Sequence, residues 1–193
     1  MKKIILASGS PRRKLLMDWA ELTFSVMVSD ADETYDPSLS PENIALSIAD
    51  KKNHAVQTQL GEYFNEHILI AADTIVVLNN KIIGKPKNRE AAIEILTLLS
   101  GKIHEVITAV DIRSLDHQES FFDKTFVEFH PLTNDQIIHY VDQYKPYDKA
   151  GAYAIQEWIG VVGIKNIKGD FYNVMGLPIS RVLQVLEKEW KNL

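Results

Sequence analysis

The sequence predicts a mixed α/β fold, and three observations lead to that prediction. Short apolar segments, bounded by small or polar residues, alternate along the chain with segments of helical periodicity. Residues 105–115 and 121–129 alternate apolar and polar side chains and are joined by a polar turn, which is typical of a hairpin. The 193 residues contain no internal repeat or long linker, so a single domain over 1–193 is expected.

The N-terminal part of the chain predicts two strands and two helices. Residues 4–7 form a short apolar segment followed by small residues, as expected of a buried strand. Ser10 suits the N-cap of a helix whose first position is Pro11, because proline has no N–H to leave unpaired there. Residues 24–28 predict a second strand, and Ser40 is expected to begin a second helix.

The rest of the chain continues this alternation. An apolar strand over 67–72 is expected to end at Asp73, and residues 75–78 continue extended towards a tight turn at 79–80. The remaining predicted elements are a strand at 81–83, a helix over 88–99, the hairpin, a helix from the capping-box residue Thr133 to Tyr144, the apolar segment 158–167, a turn at 169–170 and a final helix over 179–190.

Composition excludes several classes of protein. Lys plus Arg number 21 and Asp plus Glu number 26, and a net charge of −5 argues against a general nucleic-acid binder. The chain has no cysteine, which excludes disulfides, a thiol nucleophile and Cys-based metal sites. No apolar segment approaches the length of a membrane span, and the apolar part before Ser8 is too short for a secretory signal. A cytoplasmic protein without a membrane partner is therefore expected.

The segment that joins the first strand to the first helix is the first candidate site. A strand that turns into a helix through small residues, here Ser8 to Ser10, exposes backbone N–H groups at the positive end of the helix dipole. Arg12 and Arg13 place positive charge at the positive end of that dipole, which is unfavourable unless a polyanion binds there. The alternative is an ordinary capped helix with two solvated arginines. The segment is not a P-loop, because the Gly-x4-Gly-Lys-Ser/Thr pattern does not occur in the chain.

Asp73 is the second candidate because it follows the apolar segment 68–72. Ligands gather at the carboxyl ends of strands in open α/β sheets, where a carboxylate can hold a divalent cation or orient a water. Thr74 adds a hydroxyl suited to recognition, and Glu33, in the acidic loop 30–33, is a candidate for a second metal ligand. The alternatives are a turn aspartate, an ordinary strand threonine and a solvated acidic loop.

Three lysines and a glutamine complete the set of candidates. Lys52 lies in a predicted helix, Lys85 stands between glycine and proline, and Lys149 precedes a segment of small residues. Solvated surface lysines are the alternative interpretation. Gln156 carries both a hydrogen-bond donor and an acceptor, so it can bind the edge of a base or serve as a structural amide.

Other familiar chemistries are missing from the sequence. The six histidines form no pair at zinc-ligand spacing, and the Gly-x-Ser-x-Gly pattern of α/β-hydrolases does not occur. Clustered positive charge at a helix start, two acidic residues suited to a metal and no covalent nucleophile fit metal-assisted attack of water on a phosphoanhydride.

Several motifs, taken together and in order, carry a resemblance to a known family. They are 7–13 (ASGSPRR), 32–33 (DE), Lys52, 72–76 (ADTIV), 84–86 (GKP), 100–104 (SGKIH), 148–156 (DKAGAYAIQ) and 173–178 (NVMGLP). Over nearly its whole length the chain resembles the Maf proteins, nucleoside triphosphate pyrophosphatases once described as septum-formation inhibitors.

The resemblance implies a Maf/ITPase-like mixed sheet with flanking helices around a central cleft. It implies hydrolysis of a nucleoside triphosphate to its monophosphate and pyrophosphate with a divalent cation, Mg²⁺ or Mn²⁺. Glu33 and Asp73 would hold the cation, and Asp73 would accept the proton of the attacking water. The substrate is then a small nucleotide, and a homodimer is an expectation at the level of the family.

The resemblance also implies roles for the remaining candidates. The residues expected to bind the phosphates are Ser8, Arg13, Lys52 and Lys85. The residues expected to set base specificity are Arg12, Thr74 and Gln156, and the last two resemble the branch that acts on dTTP and UTP. Two positions depart from the family pattern: Glu157 stands where glycine is usual, and Asn53 stands where alanine usually follows the lysine.

Two alternatives to dTTP and UTP hydrolysis remain at this point. The first is a 7-methyl-GTP pyrophosphatase, in which glutamine would follow the aspartate at 73 and an acidic residue would replace Gln156. The second is a regulator of septum formation and cell division that binds without turnover, for which Asp73 and the lysines need not be arranged for chemistry.

Overall fold

The computed structural model describes residues 2–28 and 30–189, and within them strands and helices alternate as expected for the α/β class. The strands are β1 (Lys3–Leu6), β2 (Phe24–Val26), β3 (His67–Leu78), β4 (Lys81–Ile83), β5 (Ile103–Arg113), β6 (Gln118–Phe129) and β7 (Ile164–Lys168). The α-helices are α1 (Pro11–Trp19), α2 (Pro41–Leu60), α3 (Arg89–Leu99), α4 (Asn134–Tyr144), α5 (Trp158–Gly163), α6 (Phe171–Met175) and α7 (Ile179–Glu189). The predicted α/β class is confirmed.

The described strands form one mixed sheet of seven strands in the order β2-β1-β3-β5-β6-β7, with β4 paired to β3 outside this path. β1 runs parallel to both of its neighbours, so Ile4 lies opposite Phe24 on one side and Ile68 on the other. β4 returns antiparallel along β3 through Asn79 and Asn80, whose φ angles of 50° and 62° suit a tight hairpin turn. The turn predicted at 79–80 is therefore confirmed.

The described residues form two compact units. One unit comprises the described residues within 1–73, 108–123 and 176–193, and the other comprises 74–107 and 124–175. The divisions after residues 73, 107 and 123 fall inside β3, β5 and β6, so each of these strands contributes to both units. A single domain over 1–193 stays a prediction.

The core of the first unit lies between the β-sheet and α2. Ile5 and Leu69 from two neighbouring strands pack in one apolar cluster with Val56 of α2 and with Phe64 of the 3-10 helix Gly61–Glu66. Each such buried side chain contributes about 1.5–3 kcal/mol. Ser40 begins α2 by accepting a hydrogen bond from the N–H of Asn43 at 3.3 Å, as its N-cap pattern predicts.

A buried polar network lies beside this core and accounts for Asn53. The Asn53 amide is fully buried and donates to the carboxylate of Asp111 at 2.6 Å and to its carbonyl at 2.8 Å. The Asp111 carboxylate also accepts from Arg113, Gln118 and Ser120, each at 2.7 Å. The Asp111 carboxylate and the amide nitrogen of Asn53 are thus bonded, whereas Oδ1 of Asn53 is buried without a hydrogen-bond partner among the described residues. The bonds of the nitrogen give Asn53 a structural role in the first unit.

In the second unit, aromatic and polar side chains are buried together. His104 Nε2 lies 2.7 Å from the hydroxyl of Tyr153, and both rings pack against Phe129. Burial lowers the pKa of His104 to about 4 and raises that of Tyr153. Thr133 and Gln136 form the capping box that their spacing predicts at the start of α4.

The predicted ends of two strands, β3 and β2, need correction. β3 does not end at Asp73 but continues without interruption to Leu78, because the residues after Thr74 are apolar and buried and the turn comes only at 79–80. The second strand ends at Val26 rather than at residue 28. The predicted last residue of the final helix, Trp190, lies outside the described residues.

Candidate functional site

In the first unit, the segment between β1 and α1 brings Ser8 and Arg13 together. The Ser8 hydroxyl accepts a hydrogen bond from Arg13 Nη1 at 3.1 Å and from the N–H of Ser10 at 3.3 Å. Arg13 Nε donates to the carbonyl of Gly176 at 2.8 Å. Ser10 caps α1, Pro11 follows at its start, and the first turn of the helix contains no acidic residue, as the sequence predicts.

Arg13 is a buried cation, with only 8% of its surface exposed. Burial lowers the pKa of Arg13, the negative charges of Asp73 and Glu33 raise it, and the positive charge of Arg12 lowers it. A guanidinium nevertheless stays protonated in proteins. The arginines at the start of α1 and the two acidic candidates therefore act on one another electrostatically within the first unit.

Lys52 joins the two acidic candidates. Its ammonium nitrogen lies 2.7 Å from Oδ1 of Asp73 and 2.9 Å from Oε1 of Glu33. Lys52 extends from α2, Asp73 lies within β3, and Glu33 lies in the loop between β2 and α2. The side chains of Lys52 and Asp73 are 15% and 13% exposed, and that of Glu33 is 52% exposed. Lys52 and Asp73 are therefore largely shielded from solvent, whereas Glu33 is open to it.

The donor set of this cluster fits a divalent cation that arrives together with a phosphorylated ligand. Glu33 and Asp73 reach a common point, now taken by the Lys52 ammonium, and both offer hard carboxylate oxygens. No group of three or more acidic or histidine side chains in the described residues could hold a metal ion unaided. Mg²⁺ is commonly bound in this manner, by one or two carboxylates with substrate phosphates supplying further oxygens.

The second unit contains the remaining candidates. Thr74 is half-buried and follows Asp73 directly in β3, whereas Lys85 is exposed in the loop after β4. Lys149 is 8% exposed and pairs with Asp148 at 2.8 Å. Gln156 is exposed in a turn between the 3-10 helix Ala150–Ala152 and α5.

Tyr140 is a residue of this region that the sequence analysis missed. It lies on α4, is fully buried, and its hydroxyl donates to Oε2 of Glu157 and accepts from the N–H of Ala154 at 3.1 Å. A buried tyrosine usually finds a partner for its hydroxyl, and this is the signal that points to it. The identity of the partners depends on the packing of α4, which the spacing of residues 140 and 157 does not show.

The fold and these side chains define an α/β protein with a cluster of cations and carboxylates suited to phosphorylated ligands. The sequence model of one family, described as Maf-like protein, matches residues 3–189. The chain belongs to this family, which confirms the resemblance that its motifs carry.

Three relatives of named activity are similar to the chain over most of its length. It is 48% identical over 185 residues to a "dTTP/UTP pyrophosphatase" of Cytophaga hutchinsonii, covering 96% of this chain and 83% of the relative. Proteins of the same name from Bacillus cereus and Bacteroides fragilis are 46% and 47% identical, covering 97% and 96% of this chain and 96% and 95% of their own.

Among solved structures, the Staphylococcus aureus Ham1 protein aligns with 66% of this chain and 72% of its own. The TM-score is 0.42 and the identity is 17%, which is too little similarity to support an inference. Within the described part of the chain, no helix combines the length and apolar character needed to cross a membrane.

Proposed function

We propose that this chain hydrolyses dTTP and UTP to the nucleoside monophosphate and pyrophosphate. The observation that carries the proposal is its identity of 46–48%, over 96–97% of its length, to proteins named for this activity. The cluster of Asp73, Lys52 and Glu33 supports it, because a carboxylate beside a lysine suits proton transfer next to a negatively charged substrate.

In the proposed mechanism, Asp73 is the general base. Its carboxylate takes a proton from a water whose oxygen attacks the α-phosphorus of the nucleotide. The bond between that phosphorus and the oxygen bridging to the β-phosphorus breaks, and the bridging oxygen leaves with the electron pair as part of pyrophosphate. The ammonium of Lys52, which lies 2.7 Å from Asp73, would stabilise the negative charge that develops on the phosphate oxygens during the attack.

Cationic and polar side chains are proposed to bind the triphosphate. In the first unit these are Ser8, Arg13 and Lys52, of which Arg13 is held by bonds to Ser8 and to the Gly176 carbonyl. Since those bonds fix its direction, the arginine would bind without losing further side-chain freedom. Lys85 is the proposed phosphate ligand of the second unit, where its exposure leaves it accessible.

A divalent cation, Mg²⁺ or Mn²⁺, is proposed as the cofactor, with Glu33 and Asp73 as its protein ligands. When bound there it would neutralise charge on the phosphate oxygens and polarise the phosphoryl group. Lys52 stands between the same carboxylates, so its ammonium keeps them close together without the cation.

Base specificity is proposed to depend on Arg12, Thr74 and Gln156. Thr74 offers one hydroxyl, and Gln156 offers an amide with both donor and acceptor atoms, which can match the hydrogen-bonding edge of a pyrimidine. We further propose that the protein works in the cytoplasm on the nucleotide pool, as a homodimer, without nucleic acid or membrane as partner. Its net charge of −5 supports the exclusion of nucleic acid.

The test is pyrophosphate release by the purified chain with Mg²⁺ or Mn²⁺ across dTTP, UTP, CTP, ATP, GTP and 7-methyl-GTP. We expect dTTP and UTP to be hydrolysed with the highest kcat/KM. Preference for 7-methyl-GTP would overturn the assigned substrate while keeping the reaction. Nucleotide binding without any turnover would overturn the reaction and leave a regulator of cell division as the function.

A further inference from the structure

Gln156 stands in a four-residue turn whose geometry is closed by its own backbone. The N–H of Glu157 donates to the carbonyl of Ala154 at 3.1 Å, which joins the two ends of residues 154–157. Gln156 occupies the third position and is exposed, whereas Ala154 and Ile155 are buried. Gln156 is therefore exposed to solvent, while the two residues before it in the turn are buried.

One hydroxyl group holds both ends of this turn. Tyr140 accepts a hydrogen bond from the N–H of Ala154 at 3.1 Å and donates one to Oε2 of Glu157. Tyr140 is fully buried on α4, where its ring stacks against Tyr144 at 4.9 Å between centroids. Because Tyr140 is fixed by packing, both ends of the turn are tied to a rigid helix.

The carboxylate of Glu157 is also balanced by a positive charge. Lys149 Nζ lies 3.6 Å from Oε1 of Glu157 and is only 8% exposed, while the glutamate side chain is 23% exposed. Lys149 pairs more closely with Asp148, at 2.8 Å, so the direct bond that holds the Glu157 carboxylate is the one that its Oε2 accepts from Tyr140. Glu157 can therefore hold Tyr140 in the orientation that accepts from Ala154.

Close packing restrains the same turn independently of these polar contacts. A Cβ on Gly160 of α5 would lie 1.8 Å from the carbonyl oxygen of Ile155, so only glycine fits at this position. The approach of the chain to the turn is itself strained, because Ala152 is buried and has a φ of 57°, a conformation that costs a residue with a side chain about 1 kcal/mol or more. A strained segment persists only where its surroundings hold it.

We propose that Tyr140 and Glu157 are positioning residues that fix the turn carrying Gln156 and thereby set the selectivity for a uracil or thymine edge. This inference rests on the proposed function, since it gives the pair a role in reading the base. An exposed amide can recognise a base only if neighbouring contacts fix the backbone that carries it. The hydrogen bonds of the Tyr140 hydroxyl to Ala154 and Glu157 supply those contacts. Neither residue is assigned contact with the nucleotide.

The test compares pyrophosphate release from UTP and CTP, which have the same triphosphate and differ in the hydrogen-bonding edge of the base. Tyr140→Phe removes the hydroxyl while keeping the ring, and Glu157→Gln keeps the size of the side chain while removing its charge. We expect each variant to lower the UTP-to-CTP ratio of kcat/KM by about three- to tenfold, the effect of losing one hydrogen bond in Tyr140→Phe and of replacing a charged acceptor by a neutral one in Glu157→Gln. The loss should appear mainly as a higher KM for UTP.

Glu128→Gln is the matched control. Glu128 pairs with Lys165 at 2.7 Å and is 27% exposed, close to the exposure of Glu157, and it also belongs to the second unit. This variant should keep the UTP-to-CTP ratio of the wild type. Thermal unfolding of all variants shows whether a change in the UTP-to-CTP ratio accompanies loss of the fold. If Tyr140→Phe does not fold, Glu157→Gln alone tests the inference.

The outcomes separate the inference from the function on which it rests. A wild type that prefers UTP, together with folded variants whose ratio stays within about twofold of it, would overturn the positioning role and leave the proposed function standing. A wild type that releases no pyrophosphate from UTP would overturn the proposed function and the positioning role with it. A fall in the ratio for both variants, with the control unchanged, supports the inference.

Discussion

The ammonium group of Lys52 lies between the carboxylates of Asp73 and Glu33, which differ in exposure and therefore in their freedom to move. Asp73 is the less exposed carboxylate and is bonded at 2.7 Å, so it is held in one orientation. Glu33 is half-exposed and can turn towards an incoming ligand. The residue types were predictable from the sequence, but their meeting around Lys52 depends on how α2 packs beside β3.

The first prediction concerns Asp73. Asp73→Asn keeps the size of the side chain but removes the group proposed to accept a proton, so kcat for dTTP should fall about 10²- to 10⁴-fold. Steady-state pyrophosphate release measures this. Asp142→Asn is the control, because Asp142 forms a surface ion pair with Arg89 at 2.6 Å. Full activity in Asp73→Asn would rule out the assigned base.

The second prediction concerns His104 and acid stability. Its pKa in the folded protein is about 4, below the ordinary 6.5, so the unfolded chain binds the proton more tightly. The stability this histidine contributes is therefore present above pH 6.5 and is lost as the pH falls towards 4. The full loss is roughly 3 kcal/mol, because each pKa unit corresponds to about 1.36 kcal/mol.

Urea unfolding at a series of pH values between neutral and mildly acidic conditions measures this loss. His104→Gln retains a hydrogen-bonding group for Tyr153 but does not titrate, so its stability should decline less steeply over the same range. Equal slopes for the wild type and the variant would contradict the assignment of this acid sensitivity to His104.

At the scale of elements, glycine positions show where backbone contacts fix the structure. α5 lies so close to the turn before it that a Cβ on Gly160 would lie 1.8 Å from the Ile155 carbonyl oxygen. Gly160→Ala should therefore destabilise the protein by about 3 kcal/mol or more. Gly84→Ala is the matched control, because its added Cβ meets nothing within 4 Å, and thermal unfolding should show almost no change.

Helix starts were predicted more accurately than the end of β3 or the contacts of Tyr140, and the reason is physical. The capping patterns at Ser10, Ser40 and Thr133 predicted helix starts correctly, because a capping bond is local. The end of β3 was predicted wrongly, because a polar Asp-Thr pair resembles a strand end when its burial in the sheet is unknown. Tyr140 was missed because its partners lie 14 and 17 residues further along the chain.

At the scale of the whole molecule, the proposed activity requires a divalent cation, for which two carboxylates, those of Glu33 and Asp73, are the proposed protein ligands. EDTA should abolish pyrophosphate release, and added Mg²⁺ or Mn²⁺ should restore it. Glu33→Gln should require a higher Mn²⁺ concentration for half of its maximal rate, because one ligand is lost. Glu128→Gln should behave as wild type. Undiminished turnover in EDTA would contradict the proposed cofactor.

The most direct test of the proposed reaction is the fate of ¹⁸O when dTTP is hydrolysed in labelled water. Attack at the α-phosphorus places the label in dTMP and leaves the released pyrophosphate unlabelled, and mass spectrometry of the two products distinguishes the cases. We predict labelled dTMP and unlabelled pyrophosphate in equal amounts. Label in pyrophosphate, or formation of dTDP and inorganic phosphate, would contradict the proposed mechanism.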